Sequence, residues 1–379
     1  MTRRIAMIAA AVLCAALSVA APAGAQTSTW SVVPSPNRGT GGNVINGVSC
    51  VSATACTAAG YFTNSSGVWR TLTESWDGTS WSLVPSPNRG TATARNYLGA
   101  VSCVSAAACM ATGYFTNSSG VFRTLAESWN GTSWSLVPSP NPGYGNNVLK
   151  AVSCISATAC TATGYTTSGG IALTLIESWN GTSWSVVPST SPGTGHSYLN
   201  SVSCVSATAC TAAGYYTNSS GAFKTLIESW NGTSWSVVPS PNRVAGSYLW
   251  GVSCVSAAAC TAAGYYRTSG GSRTLIESWN GTIWSLVPSP SPGTSDNSLY
   301  AVSCASATAC TAAGSGNSGT LIESWDGTSW SVVPSPSPGT GFSILLGVSC
   351  ASLTACTAAG YSTSGSIDRT LIESGTATG

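Results

Sequence analysis

An all-β fold, a seven-bladed β-propeller of four-stranded antiparallel blades with one disulfide per blade, is predicted by three observations. A phrase of about 50 residues recurs seven times along the 379-residue chain. Each copy divides into four short apolar segments with no 3.6-residue stripe long enough for a helix. The copies are also out of phase with the chain: a lone fourth-segment phrase, "STWSVVPSP" from Ser28, precedes the first unit, and the last unit stops after "RTLIESG" at Gly375. Residues 29 to 36 are therefore expected to complete the blade begun near 344 and close a ring, where an open solenoid would need end caps.

The unit from Leu249 to Pro290 shows the elements in order. An inner strand ends in "GVSC", and after "VSAAA" a second strand runs "CTAAGYY". The third, "RTLIESW", alternates, with Leu275, Glu277 and Trp279 on one face and Ile276 and Ser278 on the other. Asn280-Gly281 then reads as a tight hairpin turn in which both residues take positive φ. The fourth strand, "TIWSLVP", ends at a proline that stops pairing, as suits an outer strand. Small "TAAG" strands fit the crowded inner part of a blade, and Trp-bearing strands its wider periphery.

Cysteine spacing supplies the staples. The pairs are Cys50/Cys56, Cys103/Cys109, Cys154/Cys160, Cys204/Cys210, Cys254/Cys260, Cys304/Cys310 and Cys350/Cys356, with first cysteines 53, 51, 50, 50, 50 and 46 residues apart. One His in the chain and no second cysteine pair per unit argue against thiolate metal sites. Oxidation is expected instead, each short loop adding roughly 2 kcal/mol in the chain-entropy account. Each pair is read as a local tie within its own blade.

The first 25 residues read as a signal peptide: Arg3 and Arg4, the apolar run "IAMIAAAVLCAALSVA", then Ala23 and Ala25 before Gln26. Cys14 lies inside that run after Leu13, which does not suit a lipid anchor. The mature chain, residues 26–379, is expected to be one propeller domain, secreted or at the cell surface, with no membrane span. Of 13 basic residues two leave with the signal, so 11 face 11 acidic ones. A neutral chain without a basic stripe excludes nucleic acid as a partner class.

Candidate chemistry is sparse, and neither a catalytic residue nor a cofactor or metal site is assigned. Glu recurs at 74, 127, 177, 228, 277, 323 and 373, but acid–base work needs an asymmetric pair at one place. Those carboxylates are expected to bond neighbouring backbone or Arg70, Arg123, Lys224, Arg273 and Arg369. Pairs such as Trp179/Trp184 and Trp230/Trp235 read as cross-strand packing. Variable connections between outer and next inner strands share a rim with the second-to-third connections. That rim carries Arg95, Tyr97, Tyr144, His196, Tyr198, Arg243, Tyr248, Trp250 and Tyr300, the candidate ligand-binding residues. The opposite rim reads as structural reinforcement.

At "VSCVSATACTAAGYY" and "TLIESWNGTSWSVVPSPN", within residues 202–242, the sequence resembles exported tandem-repeat proteins of actinobacteria likened to kelch or Asp-box propellers. The likeness runs from Ser28 to Ser374. Ser75-Trp76-Asp77-Gly78-Thr79-Ser80-Trp81 is one residue shorter than an Asp-box, and most units have Asn for Asp. The resemblance implies a propeller and an extracytoplasmic address. The expected function is a non-catalytic binding scaffold for cell-envelope glycan or protein; the alternatives are a carbohydrate-active enzyme, recognisable by two carboxylates converging in an axial pocket, and a structural or adhesive surface protein.

Overall fold

The computed structural model describes residues 27–243, 246–317 and 319–378; the signal-peptide reading of residues 1–25 lies outside them. Seven four-stranded antiparallel sheets follow one another. Blades 1 to 6 occupy residues 43–84, 96–137, 147–187, 197–238, 247–287 and 297–333. Blade 7 takes Ser343–Ser352, Ala355–Ser364 and Ile367–Thr378 from the end of the chain and Thr27–Val33 from its beginning as outer strand. The ring closes by antiparallel pairing of Trp30 with Gly375 and Val32 with Glu373.

Each blade is too thin to hold its own core. The core is instead divided among the seven blade-to-blade interfaces. At the interface of blades 4 and 5, Ala213 and Ile227 meet Leu249, Val252, Leu275 and Trp284. The closing interface repeats the pattern, with Ala359 and Ile372 against Ile45, Leu72 and Trp81. The alternation read in the third strand is the reason: Leu275 faces the preceding blade and Ile276 the following one.

Two polar rings reinforce the apolar clusters. The Ser of each "VSC" accepts a hydrogen bond from the Cys amide of the next blade, as Ser253 does from Cys304 at 3.0 Å and Ser349 from Cys50 at 2.9 Å. The second ring corrects the expected Glu–Arg pairing. Each Glu instead accepts the hydroxyl of the Ser in the preceding blade's "VPS" segment: Ser35 to Glu74, Ser86 to Glu127, Ser139 to Glu177, Ser189 to Glu228, Ser240 to Glu277, Ser289 to Glu323 and Ser335 to Glu373, at 2.5–2.9 Å. Arg70, Arg123, Arg273 and Arg369 donate to loop carbonyls near the rim, because the Arg lies several residues from its blade's Glu along an extended strand.

All seven Glu are fully buried. Burial pushes the carboxyls of Glu74, Glu228 and Glu373 up to about 7, and those of Glu127, Glu177, Glu277 and Glu323 up to about 8, against the pull of the Ser hydrogen bonds. A neutral acid costs far less to enclose than a carboxylate.

All seven disulfides form as paired in the sequence: Cys50 with Cys56, Cys103 with Cys109, Cys154 with Cys160, Cys204 with Cys210, Cys254 with Cys260, Cys304 with Cys310 and Cys350 with Cys356. Each ties the tight turn between inner and second strands. Each tie lies within one blade, as expected, and the second cysteine of a pair also faces the blade before it. The Thr57 hydroxyl of blade 1 lies 3.7 Å from Cys109 Sγ in blade 2, Thr261 of blade 5 lies 3.8 Å from Cys310 in blade 6, and Thr311 of blade 6 lies 3.7 Å from Cys356 in blade 7. A disulfide sulfur carries no proton, so the Thr hydroxyl donates, and the contact is a weak one. Cys109 and Cys310 are buried in these interfaces and Cys356 is half-buried. The physical reason is strand alternation: the residue after the second cysteine points to the following blade as the cysteine itself points to the preceding one.

The Asn-Gly hairpin also differs from expectation. Trp179 pairs with Trp184, so four residues turn the chain. Gly181 has φ 94° while Asn180 is not left-handed; the Asn180 side chain accepts the amides of Thr182 and Ser183 at 2.9 Å instead. The Trp179 and Trp184 rings pack 5.7 Å apart, and Trp179 Nε1 donates to the Ala157 carbonyl at 3.2 Å. That bond places hairpin and disulfide turns on one rim, leaving the variable connections on the other.

Candidate functional site

The inner strands do not run straight through the ring. In every blade the pairing of inner with second strand skips one residue: Leu149 pairs with Gly164 and Ala151 with Thr163, so Lys150 is left over as a β-bulge. The equivalent residues are Asn46, Gly99, Asn200, Trp250, Tyr300 and Leu346. Glycine in each "TAAG" or "TATG" segment makes the bulge possible; a Cβ on Gly164 would fall on the Val148 carbonyl oxygen. The small residue after the bulge lets neighbouring inner strands approach, since a Cβ on Gly251 would come within 2.9 Å of the Ala301 Cα.

Released from pairing, the seven bulge residues line one axial cavity of about 670 Å³. Toward the disulfide rim it is bordered by the edges of Val48, Val101, Val152, Val202, Val302 and Val348, which pack between the blades, and its mouth includes Tyr97, Tyr114, Tyr165, Tyr361, Trp69 and Phe122. Aromatic rings continue around the mouth in two arcs. One runs Trp69, Tyr61, Tyr97, Tyr114 and Phe122 with successive centroids 4.8, 5.3, 4.9 and 4.6 Å apart. The other runs Tyr165, Tyr198, Tyr215, Tyr248 and Tyr265 at 5.0, 5.1, 4.9 and 4.9 Å. Blade 6 interrupts the belt, having Ser298 and Ser315 at the corresponding pair. Burial raises the tyrosine hydroxyls, Tyr114 to about 12, so they stay neutral hydrogen-bonding groups.

Lys150 is the charged side chain in the cavity lining, which contains no Asp or Glu among the described residues. Its ammonium donates to Asn200 Oδ1 at 2.9 Å and lies 5.2, 5.6 and 5.9 Å from the ring centres of Trp250, Tyr198 and Tyr165. Burial pulls it down to about 8. Asn200 is held in turn, donating to the Leu249 carbonyl at 2.8 Å. At the mouth Arg95 lies 5.0 Å over the Trp69 ring, and burial, reinforced by the charge of Asp368, raises the hydroxyls of Tyr61 and Tyr361.

The residues singled out in the sequence separate into four groups. Tyr97, Trp250 and Tyr300 line the cavity; Tyr198 touches Lys150, Arg95 edges the mouth, and Tyr248 is buried within the second arc. His196 stands at the rim, 6.1 Å from Tyr198, its Nδ1 accepting the Ala172 amide at 3.1 Å. Arg243 and Tyr144 lie apart: Arg243 covers Tyr266 beside an inter-blade cluster, and Tyr144 is 97% exposed with no place in either arc. The disulfide cysteines, Cys109, Cys310 and Cys356 among them, are absent from the cavity lining and belong to the scaffold alone. Sequence reasoning missed Lys150, Asn46, Asn200 and Leu346. Their signal is the column four residues before each first cysteine, which reads Asn, Gly, Lys, Asn, Trp, Tyr, Leu between one flanking column of Ile or Leu and another of Gly, Ala or Ser.

No protein-family model and no curated protein matches the chain. Solved structures do match. The chain is similar to YCF48 bound to D1 peptide, at 13% identity and TM-score 0.56, covering 92% of this chain and 97% of that one. It is also similar to the WD40 β-propeller domain of Doa1, at 10% identity and TM-score 0.57 over the same shares. A Dyadobacter fermentans protein of unknown function matches at 10% identity and TM-score 0.50, over 72% of this chain and 92% of that one. At these identities the likeness establishes a shared propeller fold.

Proposed function

We propose that the protein is an exported, non-catalytic binding scaffold of the cell envelope, related to the exported tandem-repeat propellers its phrases resemble. In this reading residues 1–25 direct export and residues 26–379 form one mature domain. The ligand enters the axial cavity end-on from the variable rim, where Tyr97, Trp250 and Tyr300 contact it. The observation that carries this is the bulge column: seven geometrically equivalent positions, unpaired within their sheets, hold six different residue types around one cavity. Function at the mouth of a rigid ring accounts for diversity there amid repetition elsewhere.

The seven Glu are dispersed around the ring and enclosed between blades, which supports binding over glycoside hydrolysis. The aromatic mouth supports it over a purely structural role. A polypeptide segment is the preferred partner, since a propeller of this fold, YCF48, is described bound to a peptide. Glycan is the second reading, because Tyr and Trp faces also stack on sugar rings. Peptide and glycan arrays probed with the mature oxidised protein test the proposal. Wild-type and Tyr144→Ala protein are expected to bind one class alike, with Trp250→Ala and Tyr300→Ala losing it. A ligand retained by both channel variants would sink the site.

A further inference from the structure

We propose that the axial cavity is a carboxylate site, built to take the C-terminal end of a polypeptide with Lys150 as its anion-binding residue and the Trp250, Tyr300 and Leu346 side chains as the seat of an apolar last side chain. This rests on the binding-scaffold reading above and goes further in naming the ligand chemistry. Lys150 is a half-buried cation in the cavity wall with no acidic group among the described cavity-lining residues to offset it. Its hydrogen bond to the Asn200 amide oxygen satisfies one of three donors. Aromatic faces on three sides stabilise the charge but accept no conventional hydrogen bond. An incoming carboxylate would supply both the missing charge and the missing acceptors, and such charge-assisted bonds strengthen in a partly desolvated setting.

The surroundings select the body that carries the carboxylate. Beside Lys150 the wall is Trp250 and Tyr300, whose rings meet edge-on at 5.8 Å. Across the cavity stands Leu346, and the deeper lining includes the small residues Gly47, Ala100, Ala151, Gly251 and Ala301 that follow the bulges. A sugar acid would set hydroxyls against these apolar side chains without partners, at the cost of their hydration. An apolar side chain next to a chain terminus meets no such penalty.

Titration calorimetry and Trp fluorescence with N-acetyl-Leu-Phe as free acid and as amide, and with an oligogalacturonide, test the proposal on the full mature oxidised protein. Wild type is expected to bind the free acid at least about tenfold more tightly than the amide, the worth of one charge-assisted bond. Lys150→Met should abolish that preference while keeping the wild-type melting temperature; Lys150→Arg should retain part of it. Trp250→Ala should weaken acid and amide alike. Equal binding of acid and amide, or a preference surviving in Lys150→Met, overturns the carboxylate site while leaving the scaffold reading intact. Preference for the oligogalacturonide overturns the polypeptide source. Failure of every probe to bind overturns the carboxylate site, and the array experiment, which uses other ligands, then judges the scaffold reading separately.

Discussion

Two sets of seven positions recur around this ring, and they behave in opposite ways. The position in the third strand is Glu in every blade; the bulge position of the inner strand holds Asn, Gly, Lys, Asn, Trp, Tyr and Leu. The Glu faces the neighbouring blade and is enclosed, its geometry dictated by a Ser of the blade before it. The bulge residue faces the axis, unpaired in its own sheet, and only the two Asn share one contact there, each donating to a carbonyl of the next inner strand. A repeated residue here marks a contact that every interface needs, and an unrepeated one marks a position at the cavity that no common inter-blade contact fixes.

The comparison breaks most visibly where the repeated contacts are removed wholesale. Deleting residues 27–36 removes the closing strand, the core residue Trp30 and the Ser35–Glu74 bond. Cooperative melting in calorimetry should be lost or weakened by about 5 kcal/mol or more. An unchanged melting temperature would show that ring closure contributes little.

Next comes acid–base behaviour of the Glu ring. Folding raises the Glu277 carboxyl from 4.5 to about 8. Between those values the folded chain holds protons the unfolded chain has released, so stability falls as pH rises through that window and is greatest below 4.5. The melting temperature should therefore drop from pH 5 to pH 8, all seven carboxyls acting in one direction, by roughly 1–3 kcal/mol per Glu in stability. Glu277→Gln should flatten the profile by one step and cost little at pH 8, while Glu277→Ala should cost about 3 kcal/mol. A flat profile in wild type would place the carboxylates in water.

A smaller effect separates the staples from the site. Replacing Cys254 and Cys260 together by Ala should lower stability by about 2 kcal/mol and leave ligand binding untouched, since that turn lies on the rim opposite the cavity mouth. At the bottom of the scale, Trp250→Ala should change stability by about 1 kcal/mol or less and yet lose binding. Equal losses of stability at Trp250 and Glu277 would erase the distinction between the two sets.

Much of this was legible beforehand. Seven blades, seven disulfides, closure by the first strand and the division of the two rims follow from period, spacing and phase. The partner of the Glu was not, because Ser240 and Glu277 lie 37 residues apart in different blades and no local pattern joins them. The same holds for Cys109, Cys310 and Cys356, whose covalent partners could be read from spacing but whose Thr neighbours in the preceding blades could not. The hairpin was legible in place but not in form: Asn180 turns the chain through its side chain, where a left-handed backbone was expected. Tyr144 and Arg243 looked equivalent to Tyr97 and Trp250 because loop variation marks a rim without saying which side chains lean toward the axis.

By itself, then, the order of residues determined the repeating unit, its strand alternation and its cross-links, since these depend on neighbours within one hairpin. Only the closed ring decided the site. A bulge in one inner strand is a local irregularity; seven of them, aimed at a common axis by the radial stacking of the blades, become a cavity lined by Lys150, Asn200, Trp250 and Tyr300. That convergence depends on distances between chain segments about 50 residues apart, which packing sets and spacing along the chain does not.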